Sequence, residues 1–521
     1  MEYISTRGDE TKFTGAQAII QGLAPDKGLF VPTEIPKIDY DFSGADGAAG
    51  ADGSRAGADA GKTGVPYRDV AYRVMSAFLD DFTDEELRRC IDGAYDDKFD
   101  SPEISPVVKT ERANFIELYH GRTAAFKDMA LSILPHLLTT SVRKENENRR
   151  IVILTATSGD TGKAALEGFA DVEGTEIFVF YPKDGVSEIQ ERQMVTQGGA
   201  NTHVYAIEGN FDDAQNAVKA IMGDRDYKAA LSDGGYRLSS ANSINIGRLV
   251  PQVAYYYFAY VRLVERGEIA SGDDIIIVVP TGNFGNILAA WYAREAGLPV
   301  GRLVCASNEN RVLTDLIGTG VYDANREFIL TSSPSMDILI SSNLERLLWH
   351  LSGGDSDEIA GYMRSLESER RYEVSARVRE GIRDFMWGGS AVMERSHSEI
   401  GELWAREGYL MDTHTSVAYR VYLDYLEKTG DDTPAVIAST ASAYKFARRV
   451  AGAIGLGAES DGFAYIDALN AATGIPVPAG LRGLRDKEIR HRGVVTAGEM
   501  ADAIRADLAR SRGRAESSSV G

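Results

Sequence analysis

Two cysteines in 521 residues, Cys90 and Cys305, rule out a disulfide framework, and they share no metal-ligand spacing. They read as reduced thiols. Histidine is also sparse: there are seven, and His120, His203 and His414 lie scattered, so no metal site is expected. Positive charge is in deficit. Lys and Arg total 56 against 77 Asp and Glu, which leaves a net charge of −21 and a pI near 4.9. That balance argues against nucleic acid or an anionic membrane as a partner. Any anionic ligand must be held by a local positive site working against the global field. No apolar run approaches membrane-spanning length, and the start, MEYISTRGDE, has no signal-peptide core. A soluble, cytoplasmic protein is expected.

What is present is ordinary globular composition, 44% apolar and 26% charged, in a chain long enough for roughly three domains. Residues 1–100 read as a small N-terminal domain. They hold a strand-like start, a helix through Ala16–Gln21, a turn-rich loop GLAPDKGLFVP, and helices at Tyr67–Leu79 and from Thr83, where Glu86 completes a capping box. Residues 43–64, almost entirely Gly, Ala, Asp and Ser, read as a disordered insertion. From about Pro106 to residue 510 strands and helices alternate, which predicts an α/β core with a parallel sheet and helices on both faces. Strand material at 107–120 leads into a lysine-bearing helix, and Pro135 should kink that helix or mark a new start. The region 355–430 reads as mostly helical and charged. The end, 511–521, reads as a disordered tail.

Several stretches have the makings of a site. In HGRTAAFKDMAL at 120–131, Lys127 stands just inside the expected helix start, with Ala130, Ile133, Leu134, Leu137 and Leu138 on one apolar face. Desolvation and the positive end of a helix dipole would both disfavour its ammonium form, leaving a nucleophilic amine suited to an aldehyde cofactor. The bland alternative is a surface lysine covering apolar neighbours. TSGDTG at 157–162 and TGNFGN at 281–286 are small-residue loops between a strand and a helix, ready anion cups. The first lacks the Walker spacing and the second lacks GxGxxG, and singly each is more often a plain connection. STASAYKF at 439–446 offers neutral hydroxyls from Ser439 and Thr440. In SANSINIGR at 240–248, Ser243, Asn245 and Arg248 are placed to converge on a phosphate, with an N-cap and a solvated arginine as the alternative. No GxSxG elbow suggests a serine hydrolase. One poised lysine with several anion cups on a doubly wound sheet suggests pyridoxal phosphate, whose aldehyde, phosphate and ring nitrogen each need a partner.

The set HGRTAAFKD, TATSGDTGKAALEGF, EIQERQMVTQG, SANSINIGRLVPQ, PTGNFGNILA, ASNENRVLTD, SPSMDILISSNLERL and STASAYKF resembles threonine synthase, and STRGDE with QGLAPDKGLFVP is similar to that family's N-terminal domain. The resemblance runs from about residue 2 to about residue 510, the insertion excepted. It implies two doubly wound lobes of the fold-type-II, tryptophan synthase β-like class, and a lyase that uses pyridoxal 5'-phosphate. The implied reaction takes O-phospho-L-homoserine and water to L-threonine and phosphate, by γ-elimination and β-addition, at the end of threonine biosynthesis. By position, Lys127 is then the cofactor-linking lysine, and Gly282, Asn283, Phe284, Gly285 and Asn286 cradle the cofactor phosphate. Thr440 faces the ring nitrogen, and Ser158, Asp160 and Thr161 receive the substrate carboxylate. Ser243, Asn245 and Arg248 are the candidates for the substrate phosphate. Two positions depart from the family pattern: Arg122, where proline is usual, and Asp160, where asparagine is frequent. The rival readings are a threonine or serine dehydratase of the same fold, which needs no site at Arg248, and a non-catalytic binder of phosphorylated ligands.

Overall fold

Strands that must be covered on both sides carry apolar residues at nearly every position, and the central strands of the two large sheets do. The computed structural model describes residues 1–41 and 64–518. The expected insertion at 43–64 therefore lies outside the described residues, its last glycine excepted. In the first lobe five strands run in parallel, in the order Gly493–Thr496, Thr202–Glu208, Thr175–Pro182, Arg150–Ala156, Tyr236–Ser240. Side chains alternate across this sheet with period two. Ile151, Ile153, Ile177 and Val179 join the main core, whereas Val152, Leu154, Phe178 and Phe180 join a second core with Ala214, Val218, Ile504 and Leu508.

The second lobe has six strands in the order Met386–Ser390, Val300–Ser307, Ile275–Pro280, Ala435–Ser439, Asn114–Glu117, Val107–Lys109. All are parallel except the last, which turns back on Asn114–Glu117 as a hairpin. The stretch at 107–120 is thus two edge-side strands. Met386–Ser390, in the stretch read as mostly helical, supplies the opposite edge. Here too the faces separate: Ile275, Ile277 and Val279 face the main core, Ile276 and Val278 the helix Thr413–Thr429 with its Val417, Ala418 and Val421.

The helix Ile246–Glu265 is buried on nearly every side and apolar to match. The N-terminal helices Gly15–Gln21 and Tyr67–Phe78 pack on it, so Ile19, Val70 and Val74 share one core with Leu249 and Val253. The N-terminal segment thus shares its core with that helix. Thr83 and Glu86 form the expected capping box. The C-terminal helix spans Met500–Ser518, past the boundary expected at 510, and seats Met500, Ile504 and Leu508 on the first sheet; the tail expectation fails as far as Ser518. Among the described residues no helix is long and apolar enough to cross a membrane.

Candidate active site

The C-terminal ends of strands from both sheets open on one cavity of about 1110 Å³, where doubly wound sheets bind ligands. Lys127, Ser158, Asp160, Thr161, Ser243, Arg248, the run Gly282–Asn286 and Thr440 all line it. Asn245 does not. Its Oδ1 caps the helix Ile246–Glu265 by accepting from Gly247 N at 2.9 Å, and its Nδ2 donates to the carbonyls of Ile19 and Ser240. Every polar atom of that side chain is spent on structure, so it leaves the anion set.

Lys127 is seated by backbone. Phe126 N donates to Thr440 O at 2.7 Å, Ala125 bridges Ala441, and Ala124 takes φ of 56° to make the turn. Upstream, His120 spans Asp100 (2.6 Å) and Glu117 (2.8 Å), and these carboxylates hold its imidazolium up to about 9. The helix after Lys127 is only Asp128–Leu131, and a new one opens at Leu134 with Pro135 in its first turn. Four residues make no useful dipole, so the expected helix-end contribution falls away. Burial is what lowers the Lys127 amine, to about 8, with Arg248 and Lys445 adding to it and Asp160 opposing.

Asp160 opens the helix Asp160–Phe169 and lies 4.0 Å from Lys127 Nζ. Its own partners are Lys445 Nζ at 2.8 Å and Gln190 Nε2 at 2.9 Å, and the two lysines hold its carboxyl far below the usual range despite burial. Lys445 is fully buried and also donates to Thr123 O at 2.9 Å. Neither Lys445 nor Gln190 was in the expected set. Lys445 carries the same signal as Lys127, a lysine beside aromatic residues at a strand–loop–helix junction. Gln190 has no such signal, because its sequence position reads as the capping residue it also is.

The TSGDTG turn is shaped by Thr157, whose Oγ1 accepts from Gly159 N (2.9 Å) and Gly162 N (2.8 Å), with Gly159 at φ of 133°. At the TGNFGN cup, Phe284 takes a left-handed turn before the helix Gly285–Glu295. Gly282 is needed for packing more than for an anion, since a Cβ there would come within 2.2 Å of Ser335 O. Asn286 accepts from the Tyr255 and Tyr256 hydroxyls through Oδ1, and its buried Nδ2 has no partner among the described residues.

Arg248 is 3% exposed and, among the described residues, has no carboxylate partner. One nitrogen donates to Ala241 O at 2.5 Å, Nε is unpartnered, and burial lowers the guanidinium to about 10. A buried, unpaired guanidinium facing a cavity is costly unless an anion completes it. Arg122 instead turns outward to Glu167 at 3.2 Å. Arg7, from the N-terminal segment, reaches the cavity wall fork-bonded to Glu345.

Residues 2–48 match the family model described as threonine synthase N terminus, and residues 116–441 match that of pyridoxal-phosphate dependent enzymes. The chain is 33% identical to the threonine synthase of Schizosaccharomyces pombe, over 86% of this chain and 88% of that one. It is 37% identical to human threonine synthase-like 1 over 83% of its length, but spans only 57% of that longer protein. The structure of pyridoxal-phosphate-bound threonine synthase from Brucella melitensis superposes with a TM-score of 0.82 at 32% identity, covering 98% of this chain and 99% of that one. The shared architecture is that of fold-type-II enzymes.

Proposed function

The chain belongs to the threonine synthase family of pyridoxal-phosphate-dependent enzymes, and from that premise we propose that it converts O-phospho-L-homoserine and water to L-threonine and phosphate. The observation that carries the proposal is Arg248: a buried, always-charged fork without a carboxylate partner, in the same cavity as a depressed lysine.

Pyridoxal phosphate is the cofactor of this family, and the residues present fit it. Asn286 Nδ2 is a buried donor with no partner among the described residues, at the N-terminus of an 11-residue helix. Lys127 holds an amine lowered to about 8, so that about half of it is neutral near pH 8. Gly282–Asn286 would hold the phosphate, Lys127 the aldehyde carbon, and Thr440 would face the ring nitrogen with a neutral hydroxyl. When bound, the cofactor supplies an electrophilic carbon for an amine and a ring that takes up carbanion charge.

The protein's own residues would then divide the work. Lys127, once its amine is free, removes the proton at the substrate Cα and then moves protons at Cβ. Arg248, with Ser243 on the same cavity wall, holds the γ-phosphate and stabilises it as it leaves. Ser158 and Thr161, on the turn that opens the helix Asp160–Phe169, receive the substrate carboxylate. Asp160 would repel that carboxylate, but Lys445 neutralises it and Gln190 fixes its direction. A cytoplasmic setting accompanies this reading, supported by two buried free cysteines.

The deciding experiment is incubation with O-phosphohomoserine while phosphate and threonine are both assayed. Equimolar release of the two is expected. Deamination of free threonine or serine, with no turnover of the phosphorylated substrate, would transfer the protein to the dehydratases.

A further inference from the structure

Residues 324–343 cross the cavity with only one short 3-10 turn, Pro334–Met336, and Ser335, Met336 and Ser341 line its wall. A stretch this irregular must find partners for its backbone outside itself. It does so on three sides. Asp337 Oδ1 gathers the Thr331 hydroxyl (2.7 Å) and the amides of Asn308 (2.7 Å) and Asn310 (3.2 Å). Toward the cup, Ser341 Oγ donates to Gly282 O at 2.8 Å, while Asn343 donates twice to Asn283 O. The third side is the start of the helix Thr413–Thr429. There Thr413 Oγ1 donates to Ser332 O at 2.7 Å, and Ser335 N donates to His414 Nε2 at 3.1 Å.

His414 is buried, and its Nδ1 donates to Asp412 Oδ2 at 2.7 Å, which makes Nε2 the acceptor. Asp412 is itself sealed: its other oxygen takes the N–H and hydroxyl of Thr415, and Thr415 Oγ1 accepts from Thr440 N at 3.3 Å. One residue away in the bonding chain, Ser335 presents its carbonyl to Gly282 so closely that no side chain fits between them. His414 therefore stands where the crossing segment, the cup and the Thr440 loop meet.

We infer that His414 is a positioning residue: anchored by Asp412, it fixes Ser335, and through Ser335 it sets the cup Gly282–Asn286 to receive the cofactor phosphate. This rests on the reading that the cup holds that phosphate. The test uses the full chain as His414→Ala, His414→Gln and His414→Asn. Glutamine places its side-chain oxygen near the position of Nε2 and keeps the acceptor for Ser335. Asparagine reaches Asp412 but not Ser335. Hydrogen exchange of peptides covering 331–341 should quicken at least about tenfold in the alanine and asparagine variants and stay near wild type in the glutamine variant. The equilibrium dissociation constant for pyridoxal phosphate should rise about tenfold in the same pattern, equivalent to about 1.4 kcal/mol. Peptides covering the strands of the first lobe serve as the folding control and should exchange as in wild type in every variant. Unaltered exchange of 331–341 in His414→Ala overturns the inference, as does quickened exchange with unaltered cofactor affinity. A wild-type protein that binds no pyridoxal phosphate would sink the cup reading itself, and the role of His414 with it.

Discussion

TSGDTG at 157–162 and TGNFGN at 281–286 share a local design, a small-residue loop joining a buried parallel strand to a helix, yet they face the cavity with opposite electrostatics. The second presents a helix N-terminus and an unpartnered amide, Asn286 Nδ2, with no charged side chain of its own. The first presents a carboxylate, Asp160, that is saturated by Lys445 and Gln190. The lesson is that loop design sets where backbone donors point, whereas the residues across the cavity decide what charge the loop can accept. Lys127 sits 4.0 Å from the acidic loop, and burial and Arg248 keep its amine from becoming a permanent cation.

The contrast can be broken most severely at Lys127. Lys127→Ala should lower threonine formation by roughly 10⁴-fold or more, since it removes both the cofactor link and the proton carrier. Reduction of the holoenzyme with borohydride should label Lys127; label on another lysine would refute the assignment.

Removing the counter-ion of the acidic loop comes next. Lys445→Met leaves Asp160 buried with its main cation gone and should cost about 3 kcal/mol in urea unfolding. Adding Asp160→Asn should restore most of that loss, because the uncompensated charge disappears with it. No recovery in the double variant would mean that Lys445 acts through its bond to Thr123 O.

Arg248→Ala should reduce threonine formation from O-phosphohomoserine at least about tenfold, or about 1.4 kcal/mol, while the cofactor spectrum survives. Lysine at this position should rescue only part, since it supplies charge without the fork. Wild-type turnover by the alanine variant would remove Arg248 from the site.

The smallest expected effect is one of pH. Cofactor uptake by the cofactor-free protein needs a neutral Lys127, so its rate should climb as pH rises and level off above about 8. The sign follows from burial, which lowers the lysine and lets it lose its proton earlier than an exposed one. A rate that keeps climbing to about pH 10 would show a lysine at its ordinary value.

Much of this was legible along the chain. Apolar runs of five to eight residues between glycine-rich loops mark the buried strands, and Thr83 with Glu86 marks a helix start, because burial and capping are local demands. The loops of the site were legible for the same reason. Asn245 misled because an asparagine before a helix reads equally as an N-cap or as an anion ligand, and only the positions of Ile19 O and Ser240 O choose the cap. Met386–Ser390 was hidden by its short, glycine-rich run, which becomes a strand only because Val300–Ser307 offers it an edge.

By itself, the sequence determined the alternation of strands and helices, the lysine, the two loops and the family, since each is written in residues close together in the chain. Tertiary structure alone decided that Lys445 neutralises Asp160, that Arg248 is left without a carboxylate, that the N-terminal helices share the central core, and that His414 meets Ser335. Each of these joins residues far apart in sequence, and whether a buried charge is paired depends on what the fold brings within a few ångströms of it.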